Sequence, residues 1–212
     1  MLFAEGYARA LLVFHVLIAL ALVAVSTHLC IWLRGYPRGK YTRLRAVRRF
    51  GMISASLFVL TFLIGNIIYP VYKVRVRMEY LGSGGALLRD YEQREKEKLR
   101  LRDQYDALRA AHNNRDIPDK PSKPKLSAQT LSNLPMRGAK IARWFDIKEH
   151  VAALGLIMSL ACMMILLVWD PKKHGGAISS VVFTMAVFAA ASAWFGALVG
   201  IVVSSYRSIG GL

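Results

Sequence analysis

Acidic residues and cysteine are both scarce in this chain. It has 13 Asp+Glu against 29 Lys+Arg, and two cysteines. No pair of carboxylates stands at a spacing that would serve general acid–base catalysis. No P-loop, GxSxG, HExxH or kinase pattern occurs either, so the sequence points to no hydrolase or nucleotide site. The cysteines, Cys30 and Cys162, form no CxxC, no CxxCH and no zinc spacing, which excludes a disulfide framework. Both fall inside apolar runs, so neither reports a redox compartment, and Cys162 reads as a small packing residue.

What is abundant is apolar side chains in long blocks. The 212 residues are 55% hydrophobic with mean hydropathy +0.35, above the 45–50% of an ordinary soluble domain. A membrane-crossing helix needs about 20 mainly apolar residues, since the hydrocarbon layer is about 30 Å thick and each residue rises about 1.5 Å. Four segments qualify: Ala10–Leu33, Phe50–Tyr72, 147–169 and 177–204. The first is too long for a cleaved leader, and its basic cluster follows the apolar run, so it reads as a retained helix. Trp32, Tyr69, Tyr72, Trp144, Trp169 and Tyr206 lie near segment ends, where interfacial aromatics belong. The expected fold is an all-α integral membrane protein. It is a four-transmembrane-helix bundle with a long extramembrane loop containing one polar helix.

Three parts follow. Residues 1–72 form a first transmembrane hairpin, 73–146 the extramembrane loop and 147–212 a second hairpin. Within the loop, Gly82-Ser83-Gly84-Gly85 breaks the chain. Residues 86–112 then run without Gly or Pro and are rich in Glu, Lys, Arg, Leu and Ala, a strong helix by propensity. Leu87, Tyr91, Leu101, Tyr105 and Leu108 share a stripe that Arg94 and Lys98 interrupt, so a solvated helix is expected rather than a coiled coil. Residues 113–136 hold Pro118, Pro121, Pro124 and Pro135 and read as a semi-extended tether.

The net charge of +16 would suggest nucleic acid in a soluble protein. Beside apolar spans, cytoplasmic loops and anionic headgroups account for it, and no nucleic-acid partner is expected. The first connection carries Arg34, Arg38, Lys40, Arg43, Arg45, Arg48 and Arg49 with no acid, and the third carries Lys172 and Lys173. The tails hold only Arg9 and Arg207. The basic connections then face the cytoplasm, with both termini and the long loop outside it, in a bacterial inner membrane. The loop is basic near its ends as well, which weakens the asymmetry.

Polar groups inside a bilayer are costly, so each is a candidate for function. His15 lies early in the first helix and His150 early in the third. Alternate helices of a bundle run the same way, so the two histidines share a side and a depth. A b-type haem bridged by two imidazoles needs two histidines at matched depth on separate helices. Arg75, Arg77 and Arg143 (with Arg9 and Lys148) fall on that side and would meet the propionates. His28 and His174 make a second, weaker pair on the opposite side. His15 and His28 are 13 residues apart, roughly 140° around a helix, so a single site is expected rather than two. The ordinary alternative is a ring near a helix end, hydrogen-bonded to a backbone carbonyl. Asn66 reads as an interhelical hydrogen bond, and Ser192, Gly196, Gly200 and Ser204 as a close-packing face.

Two functions remain after these exclusions. One is a small electron-transfer or quinone-linked subunit with haem b between the first and third helices. The other is a non-catalytic scaffold or accessory subunit, with the lipid bilayer and other membrane or periplasmic subunits as partners. Neither makes the chain an enzyme by itself. A transporter is weakest, because neither an inverted repeat nor a pair of broken helices is visible.

Overall fold

The computed structural model describes residues 5–113, 128–171 and 176–206. The described residues are almost wholly helical, with no strand among them. Four helices are long and apolar enough to cross a membrane, within Ala8–Arg38, Leu44–Leu81, Ala139–Val168 and Ala177–Val203. The chain divides into two compact units, one of residues 1–74 with 143–212, the other of residues 75–142.

In the first unit, α1 (Ala8–Leu33) and α2 (Leu44–Val71) are joined by a folded connection containing a short 3-10 turn at Tyr36–Arg38. α4 (Ala128–Val168) stops just before Asp170-Pro171, as expected of a residue that precedes proline. α5 (Gly176–Tyr206) follows. One core draws Leu29 and Leu33 from α1, Val47 from α2, Cys162 and Leu166 from α4, and Val182 and Ala186 from α5, closed by Tyr36 and Trp169. A second cluster, with Leu22, Phe58 and Ala189, lies further along the same helices. Outward faces stay apolar, with Phe14, Leu17, Leu63, Met164 and Ile201 all exposed. That suits contact with lipid.

Small residues set the approach of these helices. A Cβ placed on Gly155 of α4 would lie 2.6 Å from the Ser192 Cβ and 2.8 Å from the Phe58 Cζ. One on Gly51 of α2 would lie 2.9 Å from Leu166. α5 therefore meets α4 through Ser192 and again through Gly200, whose Cβ would be 3.2 Å from the Lys148 Nζ. Between them, Gly196 has nothing within 4 Å. The Ser204 side chain lies outside the described residues.

In the second unit, α3 (Gly84–Asn113) is capped by Ser83, whose hydroxyl and carbonyl both accept the Ala86 N–H, at 3.3 and 3.1 Å. Its surface is laced by the ion pairs Arg94–Asp90, Lys98–Glu95 and Arg100–Glu97. The Glu95 carboxylate raises the Lys98 ammonium above its ordinary range. Leu87 is buried, and Tyr80 donates to Asp90 at 2.5 Å, but Leu101, Tyr105 and Leu108 are exposed.

Three expectations need correction. The second α-helix ends at Val71, close to expectation, but no loop begins there: a π-helical stretch, Tyr72–Leu81, follows directly. Residues 73–81 contain no Gly or Pro, so nothing stops the helix before Gly82. The tether expected over 113–136 is helical from Ala128 onward: most residues around Pro135 are good helix formers, and the helix runs through a proline that costs about 3 kcal/mol in a helix interior. The rest of that tether, 114–127, lies outside the described residues. Finally, the Asn66 amide donates to the Phe62 carbonyl at 2.9 Å, one turn back on its own helix rather than across to another.

Candidate functional site

His15 points from α1 onto α2. A Cβ on Gly65 would lie 3.3 Å from its Cε1, so the absent side chain at Gly65 makes room for the ring. The ring is within hydrogen-bonding reach of the Thr61 backbone, while its Nδ1 is buried without a hydrogen-bond partner. The charge that bears on it is the Lys148 ammonium. That ammonium lies over Gly200 and 5.6 Å from the Phe145 ring centroid. Phe145 in turn stacks on Tyr72, with centroids 3.7 Å apart, and on Tyr69. Each of the two polar side chains is thus seated over a glycine of another helix, and four helices contribute to one polar level.

His150 is placed differently. It is exposed, and its Nδ1 sits 2.8 Å from the Asp146 carbonyl oxygen one turn back. Residues 148 and 150 diverge by about 200° around a helix. With Lys148 directed toward His15 and Gly200, His150 faces the other way. The His150 Nδ1 is thus at a backbone carbonyl, whereas the His15 Nδ1 has no hydrogen-bond partner. Lys148, expected only as a propionate partner, is the α4 residue whose charge bears on His15.

The remaining candidates are dispersed. His28 packs its ring on Trp32 and Phe50, with centroids 4.6 and 5.5 Å away. His174 lies outside the described residues. Arg143 is exposed in the first unit. Arg75 and Arg77 belong to the second unit, where Arg75 pairs with Glu79 at 3.1 Å and the Arg77 carbonyl accepts the Gly82 N–H at 2.9 Å.

Two polar features escaped the sequence reading. Arg48 of α2 reaches the end of α4, where its Nε donates to the Leu166 carbonyl and its Nη2 to the Trp169 carbonyl, both at 2.8 Å. The last carbonyls of a helix have no intrahelical donor and carry its negative dipole end, so a guanidinium there satisfies both hydrogen bonding and charge. In the sequence Arg48 was one of seven cations in a basic run. The second feature is a cavity of about 10 Å³ lined by Ser26, Gly51, Ser54, Ser159, Cys162 and Ala186, among others, on the scale of one water molecule. Ser26, Ser54 and Ser159 are buried on three different helices, and sequence patterning does not show that they meet. Neither His15 nor His150 lines this cavity.

No protein-family model, curated protein or solved structure matches the chain. The site is therefore read from its own chemistry.

Proposed function

We propose that the protein is a membrane-embedded accessory subunit that holds a larger complex together, without catalysing a reaction itself. The observation that carries this reading is the apolar stripe Leu101, Tyr105 and Leu108, exposed on a helix that is otherwise covered in charge. Side chains four and three apart share one helix face, and an apolar face on a water-side helix is a natural contact for a second subunit. A Cβ on Gly196 would meet nothing within 4 Å among the described residues, which leaves α5 a place where a partner helix can approach. In a mild detergent extract of native membranes the protein should migrate well above its own 23.7 kDa plus micelle. The double variant Leu101→Ser/Leu108→Ser should shift it to the size of the free chain. A wild type that migrates as a monomer ends the accessory-subunit reading.

In the same reading the basic connections face the cytoplasm, and both termini lie outside it with the 73–146 loop, in a bacterial inner membrane. Thiol labelling of Lys40→Cys in intact cells should fail and should succeed once the membrane is opened. Labelling from outside would invert the orientation.

A second reading, electron transfer through haem b, is favoured by one observation, the unpartnered Nδ1 of His15. An imidazole nitrogen left without a hydrogen bond is free to ligate iron. A reduced-minus-oxidised spectrum of protein made with ample haem decides it. A haem band lost in both His15→Ala and His150→Ala supports it, and no band at all removes it.

A further inference from the structure

The first connection carries more positive charge than its packing employs. Two of its seven cations act within the fold: Arg48 caps α4, and the Arg43 guanidinium lies 5.8 Å from the Trp32 ring centroid. The other five, Arg34, Arg38, Lys40, Arg45 and Arg49, are exposed, and none has an ion-pair partner among the described residues.

The backbone that displays them is folded. Gly39 takes a left-handed conformation at φ 74, and Arg43 another at φ 57. The Gly39 N–H donates to the Tyr36 carbonyl at 2.9 Å and the Lys40 N–H to the Gly35 carbonyl at 3.1 Å. Tyr36 is fully buried, and its hydroxyl donates to the Thr42 carbonyl at 2.9 Å. Tyr36, Tyr41 and Trp169 pack together, with ring centroids 5.4 to 6.4 Å apart. A folded backbone has less freedom left to lose when its cations meet an anion, which favours binding over that of a slack basic tail.

We propose that this connection is a binding surface for the phosphate headgroups of anionic phospholipids. Its cations stand where two span-length helices end and begin, α1 at Leu33 and α2 at Leu44, at the level of Trp32 and Tyr41. That is the depth at which headgroups and interfacial aromatics meet. Four of the five cations are arginines, whose planar guanidinium can hold a phosphate through two hydrogen bonds. A membrane supplies such phosphates at this depth whichever side the connection faces, whereas an acidic protein or a nucleic acid would have to be brought there. The proposal rests on the bundle being membrane-embedded. Alkaline extraction tests that premise separately, since release of the chain from membranes would overturn the premise whatever lipid does.

The direct test uses the full chain in a neutral detergent, with its thermal midpoint read during titration. Phosphatidylglycerol should raise the midpoint by several degrees. Phosphatidylcholine, inorganic phosphate and a short oligonucleotide should not. The fivefold variant R34Q/R38Q/K40Q/R45Q/R49Q should match the wild-type midpoint in detergent alone and bind phosphatidylglycerol on the order of 3,000-fold more weakly, given roughly fivefold per cation near a surface. Should that variant fail to fold, R45Q/R49Q should show roughly a 25-fold weakening on the same basis. An undiminished response in whichever variant folds overturns the proposal. So does a shift reproduced by free phosphate, the oligonucleotide or the zwitterionic lipid.

Discussion

Gly155→Ala should lower the stability of the bundle by about 2 kcal/mol or more, while Gly196→Ala should leave it unchanged or raise it by up to about 1 kcal/mol. The two substitutions add the same methyl group to neighbouring helices and gain the same helical propensity over glycine. They differ in what the methyl meets. At Gly155 it would lie 2.6 Å from the Ser192 Cβ, where two carbons need roughly 3.5–4.0 Å. Because the Ser192 Cβ is fixed to the α5 backbone, no side-chain rotation relieves the clash, and α4 and α5 must part. Phe58, 2.8 Å away, can turn aside, but only by giving up its own packing. At Gly196 the methyl enters open space. Thermal unfolding in detergent, or titration with a denaturing detergent, reads both changes. Equal tolerance at the two positions would contradict the close approach of α4 to α5.

The second large effect belongs to Arg48. Arg48→Met keeps most of the aliphatic stem and removes both donors to the end of α4. Hydrogen bonds from a charged donor contribute about 1.5–3 kcal/mol each, and part-buried carbonyls left without a partner add to the loss. A destabilisation of about 3 kcal/mol is expected, larger than for neutralising any of the exposed cations around it. Arg48→Lys should recover a part of this, because an ammonium can reach one carbonyl but cannot span two. The same unfolding measurement decides it. A loss no greater for Arg48→Met than for Arg45→Met would mean that the carbonyls at the end of α4 find other donors.

The four span-length helices were legible because their signal is a sum over about 20 residues, which single substitutions hardly disturb. Their ends in α1 and α5 fall within a few residues of expectation. Ends governed by one residue were harder. Pro135 read as part of a tether, yet it lies within α4, where the flanking helix formers carry the helix past a residue that costs about 3 kcal/mol in a helix interior. Ser83 sits in a glycine-rich break and nonetheless caps α3.

Azimuth was least legible of all. A helix that is apolar around its whole circumference carries little periodic signal for which side faces inward. Depth along the helix therefore paired His15 with His150, whereas direction pairs His15 with Lys148. The same limit hid Arg48 among six other cations and concealed that Ser26, Ser54 and Ser159 line one cavity. Such meetings depend on helix rotation, which only packing determines.

The clasp between Arg48 and α4 also bears on the order of assembly. Its two hydrogen bonds join residues 118 and 121 positions apart. During synthesis the first hairpin emerges with its guanidinium already present, long before any carbonyl at the far end of α4 exists to receive it. Until then the arginine has no α4 carbonyl to meet. The end of α4 receives this guanidinium only once the second hairpin docks on the first. Each half thus carries a piece that the other lacks, so two separately made hairpins would have a reason to find one another, even with the connection between them cut.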